Sequence, residues 1–231
     1  MAFYTIFERK VLASIQRRKG PSIVGFLGIL QPFSDAVKLL SKEILFPYNS
    51  NFFFYFFSPL FSFFLSLMLI ITIPFNYNNF FYFNYSLLIF LVINSFGVFA
   101  LILTGIASYS KYAVLGSLRA VAQFISYEIV LSFIFLFIIL ICSSFNFIDI
   151  IFFQQIHLYL LYPLFPVSFI FFVSILAETN RSPFDLPEAE SELVSGYSTE
   201  YGASPFVFFF LAEYTNMILW SFIFVFFFLG G

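Results

Sequence analysis

The chain has 231 residues and a net charge of −2; 61% of its residues are hydrophobic and only 10% are charged. Because about a quarter of the residues of a soluble globular protein are charged, this composition cannot cover a water-facing surface and indicates a membrane protein. The charge balance offers no basic surface for phosphate groups, which excludes nucleic-acid binding as a main role.

The first fifty residues carry most of the basic charge and one amphipathic pattern. The basic run at 17–19 indicates an anchor to lipid headgroups that also helps to set the topology. Between residues 31 and 45, one face of a helix is apolar: Phe33, Val37, Leu40 and Ile44. This segment is too short to span a bilayer, so we expect a helix that lies on the membrane surface.

Five windows are apolar over about 20 residues, the length that crosses about 30 Å of hydrocarbon. They run over 52–75, 86–107, 121–142, 158–177 and 206–229. The windows are continuous rather than alternating, so they predict helices and not barrel strands. The predicted fold class is an all-α, polytopic transmembrane helix bundle with an amphipathic surface helix. We treat residues 1–231 as one membrane domain with an acidic loop at 178–204.

The distribution of charge predicts how the bundle is oriented. With five crossings, all ten Lys and Arg residues fall on one side of the membrane. The two loops on the other side carry only Asp149 and His157. The positive-inside rule therefore assigns the basic side to the cytoplasm or the mitochondrial matrix. The excess of Phe, Tyr, Ile and Asn is what AT-rich codons produce, which favours an organelle genome.

Two carboxylates lie inside predicted spanning helices. Glu128 and Glu213 each sit roughly 10–12 Å deep from the basic side, at about 1.5 Å per residue. A carboxylate at a helix centre costs about 2.5–3.5 kcal/mol and usually faces a bundle interior or a hydrated cavity, where it marks a proton or ion path. The alternative is a carboxyl group kept for packing by hydrogen bonds, for example to Gln123 or Tyr214.

Further acids and one arginine, Arg181, lie in or beside the loop at 178–204. The acids are Glu178, Asp185, Glu188, Glu190, Glu192 and Glu200. One interpretation is a solvated acidic face. The other is a string of carboxylates that leads from the surface into the bilayer, as in proton relays.

Few other residues indicate a separate catalytic or ligand-binding site. Arg119 begins a polar stripe with Gln123 and Tyr127 that could face a cavity. The single cysteine, Cys142, excludes disulfides, a cysteine-held zinc site and an iron–sulfur cluster bound by this chain alone. His157 is not expected to be a ligand, and the sequence contains no phosphate-binding glycine loop, nucleophile elbow or metal-ligand set.

Three stretches together are similar to one known family. They are FERKVLASIQRRKGPSIVGFLGILQPFSDAVKLLSKE (7–43), YAVLGSLRAVAQFISYEIVLS (112–132) and AETNRSPFDLPEAESELVSGYSTEYGASPFVFFFLAEYTN (177–216). On these residues the chain resembles membrane subunit 1 of NADH:ubiquinone oxidoreductase, respiratory complex I. Pro187 and Ala189 stand where the family commonly has Ala and Gly, and Ser22 where it usually has Asn. Family members have further spanning helices at both ends, so the resemblance implies a truncated or split chain.

The resemblance implies that this chain contributes to the function of a complex but itself contains no catalytic residue and no metal site. The family subunit forms, with two peripheral-arm subunits, the tunnel by which ubiquinone reaches the terminal iron–sulfur cluster. It also begins the acidic path that couples quinone reduction to proton translocation. NAD, FMN and the iron–sulfur clusters would belong to partner subunits, and the chain alone would have no activity. Other expected partners are small membrane-arm subunits, a separate polypeptide supplying the missing helices, and the lipid of the mitochondrial inner membrane, with the charged loops facing the matrix.

The same resemblance assigns two sets of residues, position by position. The quinone tunnel would involve Arg9, Arg18, Asp35, Lys38, Arg119, Arg181 and Asp185. The path for protons or charge would involve Glu128, Glu178, Glu188, Glu190, Glu192, Glu200 and Glu213.

Three other functions compete with this interpretation. A homologous subunit of an energy-converting hydrogenase or a plastid-type dehydrogenase would differ in its electron donor. A free-standing proton-coupled transporter would be expected to show internal repeats and discontinuous helices, and the sequence shows neither. A purely structural scaffold predicts that Glu128→Gln and Glu213→Gln leave coupling intact.

Overall fold

A computed structural model describes residues 1–48, 50–74, 83–187 and 196–231. All regular elements in these ranges are helical, which confirms the all-α class. The α-helices are α1 (Ala2–Ile15), α2 (Gln31–Ser41), α3 (Phe52–Thr72), α4 (Ser86–Ser108), α5 (Lys111–Cys142), α6 (Phe147–Ile156), α7 (Phe165–Glu178) and α8 (Ala203–Phe224). A π-helical turn (Val225–Leu229) extends α8, and 3₁₀ turns lie at Phe26–Gly28 and Gly196–Ser198.

Four helices in the described ranges are long and apolar enough to cross a bilayer: α3, α4, α5 and the extended α8. The window predicted at 158–177 contains instead a turn and the 14-residue helix α7. Pro166 occupies the first turn of α7, where its missing N–H costs nothing. At about 1.5 Å per residue, α7 by itself is shorter than the hydrocarbon core.

Two other helices differ from their predicted bounds. Helix α5 begins at Lys111, well before the predicted 121, because the Oγ of Ser110 accepts a hydrogen bond from the N–H of Ala113 at 3.3 Å and caps the helix. The surface helix α2 begins at Gln31 as predicted but ends at Ser41, before the predicted end at 45. Helix α6 was not predicted; Asn146 caps it through a hydrogen bond from the N–H of Ile148.

The helices pack so that α8 lies against α3, α4 lies between α3 and α5, and α7 lies against α5. The buried core surrounds the C-terminal half of α8 and combines aromatic with Leu and Ile side chains. The Phe90 ring meets the Trp220 ring edge-to-face, with centroids 5.2 Å apart. Outward-facing apolar side chains such as Phe133 and Leu140 are exposed, as expected for helices that face lipid.

A tyrosine pair fixes the start of α8. The rings of Tyr55 and Tyr201 stack with centroids 4.4 Å apart. The Tyr201 hydroxyl donates to the Thr104 carbonyl at 3.1 Å, and the Tyr55 hydroxyl donates to the Glu200 carbonyl at 2.8 Å. Burial raises the pKa of Tyr201 to about 12, so the hydroxyl stays a donor at neutral pH. The end of the acidic loop is thus tied to α3 and α4.

The turn Gly196–Ser198 depends on a close approach to α5 at Gly116. A Cβ on Gly116 would lie 2.8 Å from the carbonyl carbon of Gly196 and 2.8 Å from the nitrogen of Tyr197. Because both neighbours are backbone atoms, we expect Gly116→Ala to destabilise the fold by about 1–3 kcal/mol. Thermal unfolding in detergent measures this.

Gly202→Ala is the matched control for this substitution, since a Cβ at Gly202 meets nothing within 4 Å. Equal melting temperatures for Gly116→Ala and Gly202→Ala would contradict the predicted clash.

Candidate functional site

An ion pair joins the two N-terminal helices. The Nη1 of Arg9 in α1 donates to the Oδ2 of Asp35 in α2 at 2.9 Å. The other oxygen of Asp35 accepts a hydrogen bond from the side-chain amide of Gln31 at 2.9 Å. Lys10 donates to the carbonyl of Leu27 at 2.7 Å and holds the connection between the helices. These contacts fix α1 and α2 as one unit beside α8.

A cavity of about 430 Å³ lies between α1, α2 and α8, and we name it the outer cavity. Three of the predicted tunnel residues line it: Arg9, Asp35 and Lys38. Its wall on α8 is formed by Phe206, Val207, Phe210, Leu211 and Tyr214. An apolar wall with charged groups from α1 and α2 suits a long apolar molecule with a polar head.

Arg181 binds four side chains from two helices, and we name this group the arginine clamp. Its Nη1 lies 3.0 Å from the Oε1 of Glu8, and its Nη2 lies 3.5 Å from the Oε1 of Glu213. Its Nε donates to the sulfur of Met217 at 2.9 Å. The guanidinium stands 5.2 Å from the centroid of the Tyr214 ring, and the Tyr214 hydroxyl donates to the Oε2 of Glu8 at 2.8 Å.

The groups around Arg181 shift the pKa of its guanidinium. Burial by itself lowers the pKa of Arg181, but Tyr214 and the carboxylates Glu213 and Glu8 outweigh it and raise the pKa above its ordinary value. Arg181 therefore stays a cation in the clamp.

A second, smaller cavity of about 100 Å³ lies among α3, α4, α5, α7 and α8, and we name it the inner cavity. Glu178 and Glu213 line it together with Asn94 and Asn216. Glu178 is only 5% exposed, and its Oε1 accepts a hydrogen bond from the Nδ2 of Asn94 at 2.7 Å. The second oxygen of Glu178 has no hydrogen-bond partner among the described residues.

The amide of Gln123 holds the segment that follows α7. Its Nε2 donates to the carbonyls of Ala177 at 2.7 Å and Phe184 at 2.9 Å. This places Glu178 and Arg181 at the two sides of one turn. Gln123 and Tyr214 were the suggested hydrogen-bond partners of Glu128 and Glu213. In the structure, the Gln123 amide donates to backbone carbonyls and the Tyr214 hydroxyl donates to Glu8.

The structure brings some of the predicted residues together and leaves others apart. Arg9, Asp35 and Lys38 line the outer cavity, Glu178 and Glu213 line the inner cavity, and Arg181 joins the two through Tyr214 and Glu213. The remaining described residues line neither cavity: Arg18, Arg119, Glu128, Asp185 and Glu200. Glu188, Glu190 and Glu192 lie outside the described residues. The functional roles of both sets stay predictions.

Sequence analysis missed several residues of this arrangement, among them Glu8 and Asn94. Asn94 is an amide in the middle of an apolar window, which is a signal that could have found it. Glu8 carries no comparable signal, because it stands directly before the basic residues Arg9 and Lys10. Only its contact with Arg181, 173 positions away, reveals it.

The fold and the two cavities define a polytopic, all-α membrane protein with carboxylates enclosed between its long helices. The family model described as NADH dehydrogenase matches residues 1–231. The chain belongs to the NADH dehydrogenase family, which confirms the resemblance drawn from its three motifs.

The curated relatives that the chain matches are longer than the chain itself. NADH-ubiquinone oxidoreductase chain 1 of Aedes aegypti is 49% identical over 231 residues, which are 100% of this chain and 73% of the relative. The protein of the same name from Chondrus crispus is 47% identical over 232 residues, covering 100% and 71%. That of Yarrowia lipolytica is 50% identical over 222 residues, covering 96% and 65%.

Proposed function

We propose that this chain forms part of the ubiquinone tunnel of a proton-translocating NADH:ubiquinone oxidoreductase and the acidic path that couples quinone reduction to proton transfer. The outer cavity takes the apolar tail of the quinone against the wall of α8. The acids of the inner cavity carry charge inward. The observation that supports this most is the arginine clamp, which connects the two cavities through Tyr214 and Glu213.

The chemistry divides between this chain and its partners. A quinone takes up two electrons and two protons to become a quinol, and the electrons come from the redox centres of partner subunits that also hold NAD and FMN. This chain binds and orients the tail and supplies charged groups near its path. A change of charge beside the outer cavity alters the electrostatic potential at Arg181. Through Arg181 it alters the potential at Glu213 and Glu178.

The surfaces of the chain fit the proposed assembly. The charged side, with α1, α2 and the acidic loop, faces the peripheral-arm subunits in the matrix. The exposed apolar faces of the spanning helices contact other membrane-arm subunits and the lipid of the mitochondrial inner membrane. Purification from native membranes should yield flavin and iron–sulfur subunits together with this chain. Recovery of a stable chain without redox partners and without quinone binding would overturn the proposal.

Filling the outer cavity tests whether it holds the quinone tail. Ala36 lines the cavity from α2, and a tryptophan there occupies space that the tail needs. We expect Ala36→Trp to raise the KM for a long-tailed ubiquinone by about tenfold, the effect of about 1.4 kcal/mol of lost binding. The KM for a short-tailed analogue should rise less, because less of its tail enters. Quinone-dependent NADH oxidation by the assembled enzyme measures both constants.

The matched control is Val37→Trp, since Val37 is the next residue of α2, is exposed and does not line the cavity. Equal KM values for the two variants, or an Ala36→Trp enzyme with the normal KM for the long-tailed quinone, would contradict the assignment of the cavity.

A further inference from the structure

The outer cavity has walls of two kinds. Aromatic side chains line it from α8: Phe206, Phe210 and Tyr214. Aliphatic side chains, such as Ala36 and Leu39, line it from α2. An apolar chain in this cavity therefore meets aromatic rings on the side of α8 and alkyl groups on the side of α2.

The three rings form a continuous row along α8, and we name this row the aromatic strip. Phe206, Phe210 and Tyr214 are four residues apart, so they lie on one face of the helix. The ring centroids of Phe206 and Phe210 are 5.8 Å apart, and those of Phe210 and Tyr214 are 4.7 Å apart. The neighbouring ring planes are inclined by 31° and 52°, so the strip is corrugated and not a flat stack. Both Phe side chains are partly exposed, which leaves ring surface for a ligand.

An aromatic wall can distinguish two apolar chains that an aliphatic wall cannot. A polyisoprenoid tail carries double bonds and methyl branches, whereas a saturated, unbranched tail consists of methylene groups. A π-system is attracted to an aromatic ring in inclined or offset arrangements, as pairs of rings are. Contact with an aliphatic wall depends on the apolar area removed from water and on dispersion, which are similar for both tails. Any preference of this cavity for double bonds therefore comes from the side of α8.

We propose that the aromatic strip makes the outer cavity selective for the double bonds of a polyisoprenoid tail over a saturated tail of the same size. Phe210 is the central specificity-determining residue, because its ring contacts the rings of both Phe206 and Tyr214. This inference rests on the proposed function, since it concerns the tail of the quinone that the outer cavity takes. Without the strip, the cavity selects a tail by its length and volume alone.

The experiment compares two quinones with the same head group on the assembled enzyme. One has a geranyl tail, and the other has an unbranched saturated tail with the same number of carbon atoms. We expect a higher kcat/KM for the geranyl quinone in the unmodified enzyme. Phe210→Leu should lower the ratio of the two kcat/KM values by about threefold, mainly through a higher KM for the geranyl quinone, an effect typical of one lost aromatic contact.

The ratio separates selectivity from a general defect. Because both quinones are measured on the same enzyme preparation, a loss of turnover or of assembled enzyme cancels from it. Phe210→Tyr keeps a ring at this position and should keep the ratio of the unmodified enzyme. Where Phe210→Leu prevents assembly, Phe206→Leu decides, since it removes another ring of the strip and should also lower the ratio.

Two matched controls change other apolar side chains. Phe208→Leu makes the same substitution on the opposite face of α8, where Phe208 packs on Phe63 and does not line the outer cavity. It should keep the ratio. Leu39→Ala shortens the aliphatic wall and should raise the KM for both quinones alike. An unchanged ratio in Phe210→Leu, or an equal fall of the ratio in Leu39→Ala, would overturn the inference.

The outcomes distinguish this inference from the proposed function. An unchanged ratio in Phe210→Leu, with a raised KM for the long-tailed quinone in Ala36→Trp, overturns the selectivity of the strip and leaves the quinone tunnel standing. An unchanged ratio in Phe210→Leu, with a normal KM in Ala36→Trp, overturns both.

Discussion

Replacement of Arg181 by Gln should lower quinone-reductase turnover of the assembled enzyme by about tenfold or more. The substitution removes the guanidinium that lies 3.0 Å from Glu8 and 3.5 Å from Glu213. Loss of one partner of a fully buried ion pair costs about 3–5 kcal/mol. Because the Arg181 side chain is 31% exposed, solvent reduces this cost in stability to about 1.5–3 kcal/mol. If about 1.4 kcal/mol of it is also lost from the transition state of quinone reduction, turnover falls about tenfold. Quinone-dependent NADH oxidation measures the loss.

Two variants serve as controls for this prediction. Arg181→Lys keeps the cation but loses the fork that reaches both acids, so its turnover should fall between the two extremes. Lys42→Gln removes an exposed cation of the same charged side and should keep normal turnover. Normal turnover in Arg181→Gln, with normal assembly, would show that the clamp does not contribute to function.

Replacement of Glu178 by Gln should abolish most proton translocation while the enzyme still assembles. The oxygen of the new amide still accepts the hydrogen bond that Asn94 donates at 2.7 Å, so the local packing is kept. What disappears is the only acid of α7, which lines the inner cavity with an oxygen that no described residue binds. We expect the protons translocated per electron pair to fall by about tenfold, within the usual range of coupling between sites.

The control for this prediction is Asp149→Asn on the first turn of α6, which is exposed and lines neither cavity. It should leave the ratio of protons to electrons unchanged. A normal ratio in Glu178→Gln would contradict a role for the inner cavity in proton transfer and would favour a purely structural scaffold.

Much of the fold followed from local patterns. The apolar windows predicted α3, α4 and α8 within a few residues, because a bilayer imposes a minimum length on any segment that crosses it. Within the window at 158–177, the structure places the helix at Phe165–Glu178, with Pro166 in its first turn. Apolar length alone does not report where a helix begins.

The candidate site was only partly predictable. A carboxylate in an apolar window is costly, so the sequence by itself indicated Glu213 as a functional group. The loop at 178–204 also drew attention to Arg181 and Glu178, and the resemblance to the family assigned their roles. The grouping of these residues around two cavities was not predictable, because each cavity is closed by helices far apart in the chain.

Composition and hydropathy by themselves determined that this is a helical membrane protein, and the three motifs determined its family. Only the tertiary structure decided that Glu8 shares Arg181 with Glu213 and that Asn94 holds Glu178. The physical reason is that hydrophobic length and helical periodicity depend on residues close together in the sequence. An ion pair between residues 173 positions apart depends instead on how whole helices pack against each other.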